Sequence, residues 1–468
     1  MASGVRKLVV LGQGAAGLAA AVSAAEQARG RATCVEITLL EKAREDEAGG
    51  NSRFSPSYMR MAAPDRLEPS FEDDIQDACA GMADPGYFRA LAENAVETIA
   101  WLVAQQVEFT VPTYYLSAGP PRIQPVGGGR AIVEKLLVAA KRAGVTMRHG
   151  CPAARLVTKD GSIAGVEARP GNSGAPITFD ADAVIIATGG FQGDAGTMCR
   201  HFGPHAQTLK LISPGTRFDT GDGIRMAADL GASVAGDWNG MHIEPVDPRS
   251  QGSAPVVLVY PYGIVVDRNG HRFVDEGRGL VHQTWEVLAR DIHFGRPNSI
   301  AYAVLDSRLF DIAGVERAIR SEVRPYQAAT IEGLAALISV PSRTLRETVS
   351  TFNAAATGDA ARFDATRCDG LAAASELEPP KSNWARAIDR PPFLAYPLVG
   401  AVAYTFGGIA TNAKAEVLSG HGVVRGLYAA GETTGHFHRT APNAVAMLRA
   451  LVFGRIAGRQ AIEFLQGS

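Results

Sequence analysis

Cysteine is scarce and scattered: Cys34, Cys79, Cys151, Cys199 and Cys368 stand far apart in 468 residues, with no CxxC pair. That spacing leaves no support for haem attachment, an iron–sulfur cluster or a structural zinc site, so no metal is expected. An odd, dispersed set also fits a reducing compartment better than a disulfide framework. No apolar run is long enough to cross a bilayer, and no cationic start with an apolar segment precedes the first strand-like run. The expected location is cytoplasmic. Neither charge is in excess, with 46 basic against 48 acidic residues and a formal net charge of −2. A balance that close argues against nucleic acid or an anionic membrane as the main partner. Internal repeats and low-complexity tracts are also missing.

What the chain has in quantity is glycine, 51 residues, as expected where backbone must approach a phosphate or cofactor closely. Its length exceeds one simple core, so two domains are the natural expectation. Residues 7–12 read as a buried parallel strand running directly into Gly12-Gln-Gly14-Ala15-Ala16-Gly17. A small-residue helix follows from Leu18 to about Gln27, then a second apolar strand, Val35 to Leu40, ending in Glu41. Together these make a βαβ unit. The pattern from Phe71 to Gln105 is helical, and Arg130 to Ala143 reads as another helix. Buried strands ending in glycine turns recur at residues 182–190 and 426–432, and the last helix runs from about Asn443 to Leu465.

The chemistry begins at Gly12-x-Gly14-x-x-Gly17. Its glycines allow a tight turn, close backbone approach to a pyrophosphate, and helix-on-strand packing, while the helix N-terminus offers N–H groups and positive partial charge. Glu41, beside Lys42, sits where a carboxylate accepts bonds from an adenosine ribose. Gly49-Gly50-Asn51-Ser52-Arg53 follows as a polar glycine turn. Two further strand-to-glycine turns, Ala187-Thr188-Gly189-Gly190 and Leu427 to Gly431-Glu432, bring unencumbered backbone to one end of a parallel sheet, where ligands of such folds bind.

The set GxGxxG, LLEK, GGNS, ATGG, TGDG, GLYAAGE and a closing FGRIAG resembles the fumarate reductase/succinate dehydrogenase flavoprotein family. Within it, the chain is most like the FAD-dependent tricarballylate dehydrogenases. The resemblance runs from Val5 to about Ala461. It implies an α/β architecture, in which a Rossmann-type FAD-binding domain (residues 1–232 and 390–468) is interrupted by an inserted α+β capping domain (233–389). It places Gly12, Gly14, Gly17, Glu41, Asn51, Ser52, Gly190, Asp222, Gly431 and Glu432 on FAD-contact positions. The last helix, opening at Asn443-Ala444-Val445, would aim its N-terminus at the flavin ring. Covalent members carry a histidine where this chain has Arg53, so FAD is expected to be non-covalent.

The same resemblance proposes substrate residues. A family histidine is replaced by Tyr404 in Tyr404-Thr-Phe-Gly-Gly408, an arginine ahead of the last helix survives as Arg439, and His242 matches a pocket histidine. The proton-donating arginine of the reductases is missing from its register after Arg272-Phe-Val-Asp-Glu276, where Leu280 and Val281 stand instead. Arg278, Tyr404 and Tyr260 are left to compete for the acid–base role, and Arg278 could equally be a surface residue. The implied activity is oxidation of a CH–CH unit next to a carboxylate or carbonyl. Reduction of an activated double bond, desaturation of a cyclic ketone, and an electron-transfer subunit needing a partner are the alternatives. Electrons would pass to a separate acceptor: a quinone, an electron-transfer protein or oxygen.

Overall fold

In a computed structural model of the protein, residues 5–112, 116, 119–171 and 174–467 are described. Residues 1–4, which bear on the expectation of no leader, lie outside them. Alternating strands and helices build a six-stranded sheet in the order Glu416–Ser419, Gly422–Ala429, Ala183–Ile186, Arg6–Leu11, Val35–Leu40, Thr146–Arg148. Every neighbouring pair is parallel except the Glu416–Ser419 edge, which forms an antiparallel hairpin with Gly422–Ala429. Helices cover one face and a three-stranded antiparallel sheet, Ala153–Lys159, Ser162–Ala168 and Ile177–Asp180, packs on the other, so the central strands are buried on both sides and read as continuous apolar runs such as Leu8 to Leu11.

The helix Ala15–Gly30 packs against the closing helix Ala446–Gly467. The reason lies in FGRIAG. A Cβ on Gly454 would come within 2.4 Å of the Ala16 carbonyl oxygen, and one on Gly458 within 2.3 Å of that of Ala20. Glycine on one helix facing alanine on the other lets the two backbones nearly touch. The last helix opens at Ala446 rather than Asn443.

The helical pattern from Phe71 to Gln105 resolves into two helices, Phe71–Ala78 and Pro85–Ala104. The break has a local cause. Asp84 accepts from the Gly86 and Tyr87 N–H groups as an N-cap, with Pro85 in the first turn where its missing N–H costs nothing.

A second, mixed sheet is built on one long strand, Phe393–Thr405. Its first half pairs antiparallel with Ala301–Asp306, which in turn pairs with Ile264–Asp267; its second half pairs with Met241–Val246. Before Ile264–Asp267 the chain turns as a short 3-10 segment, Tyr260–Tyr262. The helices Ile331–Ile338 and Ser342–Ala355 pack on this sheet. The long strand starts four residues beyond the boundary drawn at 389 and carries the chain back toward the first sheet. No helix among the described residues is long and apolar enough to cross a membrane.

Candidate active site

The C-terminal ends of the first sheet's parallel strands open into a long cleft. Gly12, Gly14, Ala15, Ala16, Glu41, Lys42, Gly50, Asn51, Ser52, Ala187, Thr188, Gly189, Asp222, Gly431 and Glu432 line it. Residues more than 400 positions apart in sequence thus converge on one elongated space.

Each lining group has a visible structural cause. Gly12 turns with φ +99°, and a Cβ there would strike the Ala187 carbonyl oxygen at 2.3 Å. Glu41 is buried, and its carboxylate accepts from the Gln13 N–H and the Ala43 N–H, both at 2.7 Å. It therefore fastens the glycine turn to the end of the second strand. The Ser52 hydroxyl accepts from the Ala15 N–H at 3.2 Å, at the start of the first helix. Asn51 donates to the Ala403 carbonyl at 2.8 Å and accepts from Ser213, tying the cleft to the second sheet's long strand. Lys42 donates to Asp222 at 2.8 Å and to Thr220 at 2.6 Å. Burial pushes the Asp222 carboxyl up, but Lys42, with Thr220 and Arg225, more than offsets it and holds the group below the usual carboxylate range. Gly17 and Gly190 lie just behind the lining as packing positions. A Cβ on Gly190 would meet the Glu432 carboxylate at 2.1 Å. Asn443 and Ala444 precede the last helix without lining the cleft, and Val445 is buried.

The cleft's far end is electrostatically unusual. Glu432 accepts from the Thr405 N–H at 3.0 Å and is pushed up to about 7 by burial. Burial and the charge of Glu432 also push the Asp219 carboxyl well up, while Gln192 donates to Asp219 at 3.0 Å. Arg449, in the first turn of the last helix, lines the same end.

Tyr404 joins the two sheets. It lines the cleft, and strand register sets it opposite His242, whose ring stacks on it at 4.8 Å between centroids. His242 Nε2 lies 3.0 Å from Glu244, and Nδ1 lies 3.5 Å from Glu286, an ion-pair distance without good hydrogen-bond geometry. Burial alone would lower the imidazole, but the two carboxylates win and raise it to about 10. His242 is therefore a cation at neutral pH. Burial, then the charge of Glu286, pushes the Tyr404 phenol well above its ordinary value. It stays protonated.

The other expected acid–base and anchoring residues stand elsewhere. Tyr260 is buried, its hydroxyl 2.6 Å from that of Thr284, and burial pushes it up. Arg278 and Arg439 are exposed and outside the cleft lining. The arginine close enough to act on the Tyr404 phenol is Arg449. Sequence reasoning also missed a cationic group near His242. The Arg122 guanidinium sits 3.8 Å over the Tyr58 ring, Arg320 donates to the Tyr58 hydroxyl at 2.9 Å, and Arg320 lies close enough to Glu244 to lower it. His282 is pushed down to about 4 by burial, then by Arg122 and Arg60.

The glycine turn with its helix N-terminus fits a pyrophosphate, and the long cleft beyond it fits a dinucleotide carrying a ring system. Comparison with known proteins agrees. Residues 7–446 match the FAD binding domain family. The chain is 27% identical over 478 residues to a probable fumarate reductase of Shewanella frigidimarina, spanning 98% of this chain and 75% of that one. It is 32% identical over 363 residues to 4-oxocyclohexanecarboxylate 2-dehydrogenase of Sinomonas cyclohexanicum, covering 71% and 61% of the two chains. The open conformation of a flavocytochrome c3 fumarate reductase shares the fold, with a TM-score of 0.78 at 24% identity over 99% of this chain and 79% of that one. With that cleft and that match along almost its whole length, the chain belongs to the FAD binding domain family, alongside the fumarate reductase flavoproteins, and is an oxidoreductase that uses FAD.

Proposed function

We propose that the enzyme removes two hydrogens from a CH–CH unit next to a carboxylate or carbonyl, or adds them to the matching double bond. The observation that carries this reading is Tyr404, a protonated phenol lining the FAD cleft and stacked on the His242 cation. The relatives support the class, one being named for fumarate and another for a cyclic ketone bearing a carboxylate. FAD supplies the hydride-accepting chemistry when bound. The chain's residues do the rest. Tyr404 donates its hydroxyl to the substrate's carbonyl or carboxylate oxygen, and His242 behind it favours the negative charge that develops there. The departing proton passes to Glu244 or Glu286, the carboxylates that flank the already protonated His242.

Within this reading, residues 1–232 and 390–468 form a Rossmann-type FAD-binding domain, and 233–389 an α+β cap that closes over substrate and excludes water. Arg278 and Arg439 are residues that closure would have to bring inward. FAD is held non-covalently, since Arg53 spends its guanidinium on the Asp46 and Ala48 carbonyls and offers no linking nitrogen. Electrons leave to a separate acceptor, and the enzyme works in the cytoplasm. Stopped-flow measurement of anaerobic flavin reduction tests the role of Tyr404. Tyr404→Phe should retain FAD and slow reduction by about 10²-fold, the usual loss for one donor to a developing oxyanion. Wild-type kinetics in that variant would remove Tyr404 from the chemistry.

A further inference from the structure

The last helix brings a charged side chain into the cleft without a salt-bridge partner among the described residues. Arg449 is 2% exposed, yet its one hydrogen bond among the described residues is a long one, Nη1 to the Thr434 carbonyl at 3.4 Å. Its Nε is buried without a partner. The guanidinium stacks 4.1 Å above the Phe437 ring, which fixes its plane but supplies no counter-charge. The nearest acid sharing the cleft wall is Glu432, and burial leaves that carboxyl partly protonated near neutral pH. A guanidinium carried this deep without an anion is costly, so a fold that keeps one has reason to bring an anion to it.

We propose that Arg449 is the cofactor-tuning residue of this enzyme, its guanidinium balancing the negative charge that the flavin ring gains on reduction. Three placements favour the flavin over a substrate carboxylate. Arg449 shares its helix with Ala446, Met447 and Ala450, which line the same cleft wall. The glycine turn that would take the pyrophosphate stands at the start of another helix, with its own free N–H groups. Tyr404 apart, the groups suited to substrate, His242, Glu244 and Glu286, belong to the second sheet or its covering helix and lie outside the cleft lining. A fixed cation at this end adds to the positive helix terminus and binds the reduced, more negative cofactor more tightly than the oxidised one. By linkage, that difference raises the midpoint potential.

The test is the midpoint potential of the bound flavin, measured by dye-equilibrated dithionite titration of the FAD-loaded protein without substrate. It does not depend on the identity of the substrate, so it stands or falls separately from the proposed reaction. Arg449→Met should keep FAD bound and shift the potential to more negative values, while Arg449→Lys should recover most of the wild-type potential. If Arg449→Met does not fold, the comparison of Arg449→Gln with Arg449→Lys carries the same reading. An unchanged potential with FAD bound overturns the proposal. An unchanged potential with weakened FAD binding would assign the charge to the phosphates. An unchanged potential with a raised KM would assign it to a substrate carboxylate. Either result also overturns it.

Discussion

Replacing Glu41 with glutamine isolates the most specific joint in the cofactor cleft. The carboxylate accepts two backbone N–H groups, Gln13 on one oxygen and Ala43 on the other, each at 2.7 Å. Glutamine has one accepting oxygen, so one bond is lost and an NH₂ group is set against an N–H donor. A hydrogen bond to a charged group contributes about 1.5–3 kcal/mol, and the unmatched donors add to the loss. Glu41 is buried, so water does not repair the defect. Part of this energy appears as lower stability of the whole protein. The remainder appears as weaker FAD binding, because the loosened glycine turn must be re-ordered around the pyrophosphate. We expect Glu41→Gln to raise the FAD dissociation constant by roughly tenfold, equivalent to about 1.4 kcal/mol. Fluorescence quenching on titrating FAD into apoprotein measures it, alongside denaturant unfolding of the apo form. Unchanged FAD affinity together with unchanged stability would refute the reasoning that this acid organises the turn.

Other consequences follow from buried charges. Lys381 donates to the Pro261 and Gly263 carbonyls at 2.6 and 2.7 Å and lies 3.6 Å from Glu276, itself paired with Arg272. Lys381→Met should cost about 3–5 kcal/mol of unfolding free energy, as for a broken buried charge cluster, and a loss below about 1 kcal/mol would count against it. Gly458→Val should prevent the closing helix from seating on Ala20 and lower the yield of folded, yellow protein; normal yield and melting temperature would contradict that packing. His242 is raised from 6.5 to about 10, so its ion pairs contribute stability that is fully present below about pH 6.5 and is lost as pH rises toward 10. Denaturant unfolding between pH 7 and 10 should show that loss, and His242→Gln should flatten it; parallel curves would mean that the histidine is not charged.

Much of the cofactor half was legible in the sequence because its signals are local. A glycine turn, the strand before it and the acid after it lie within about thirty-five residues, and backbone geometry dictates their types. Asn51 and Ser52 could be named from their motif, yet their work is long-range, since Asn51 bonds Ala403 and Ser213. The catalytic half was harder for a physical reason. Arg439 is near the last helix in sequence but exposed in space, whereas Arg449, hidden in an apolar helical run, faces the cleft. Glu244 stands two residues from His242 on one strand, a spacing the sequence shows, but Glu286 reaches it from a helix whose juxtaposition no spacing encodes. Arg122 and Tyr58 meet because residues 59 and 123 bridge two chain segments, a pairing visible only once the chain has folded.

The most direct test of the account is anaerobic bleaching of bound FAD across a panel of di- and tricarboxylates and cyclic ketone carboxylates, each paired with its unsaturated counterpart. The account predicts that at least one saturated compound bleaches the flavin, with its α,β-unsaturated product recovered in equal amount, or that the paired alkene reoxidises chemically reduced enzyme. If no pair exchanges electrons with the flavin in either direction, while an alcohol or amine donor bleaches it readily, the enzyme does not act on a carbon–carbon bond and the central claim fails.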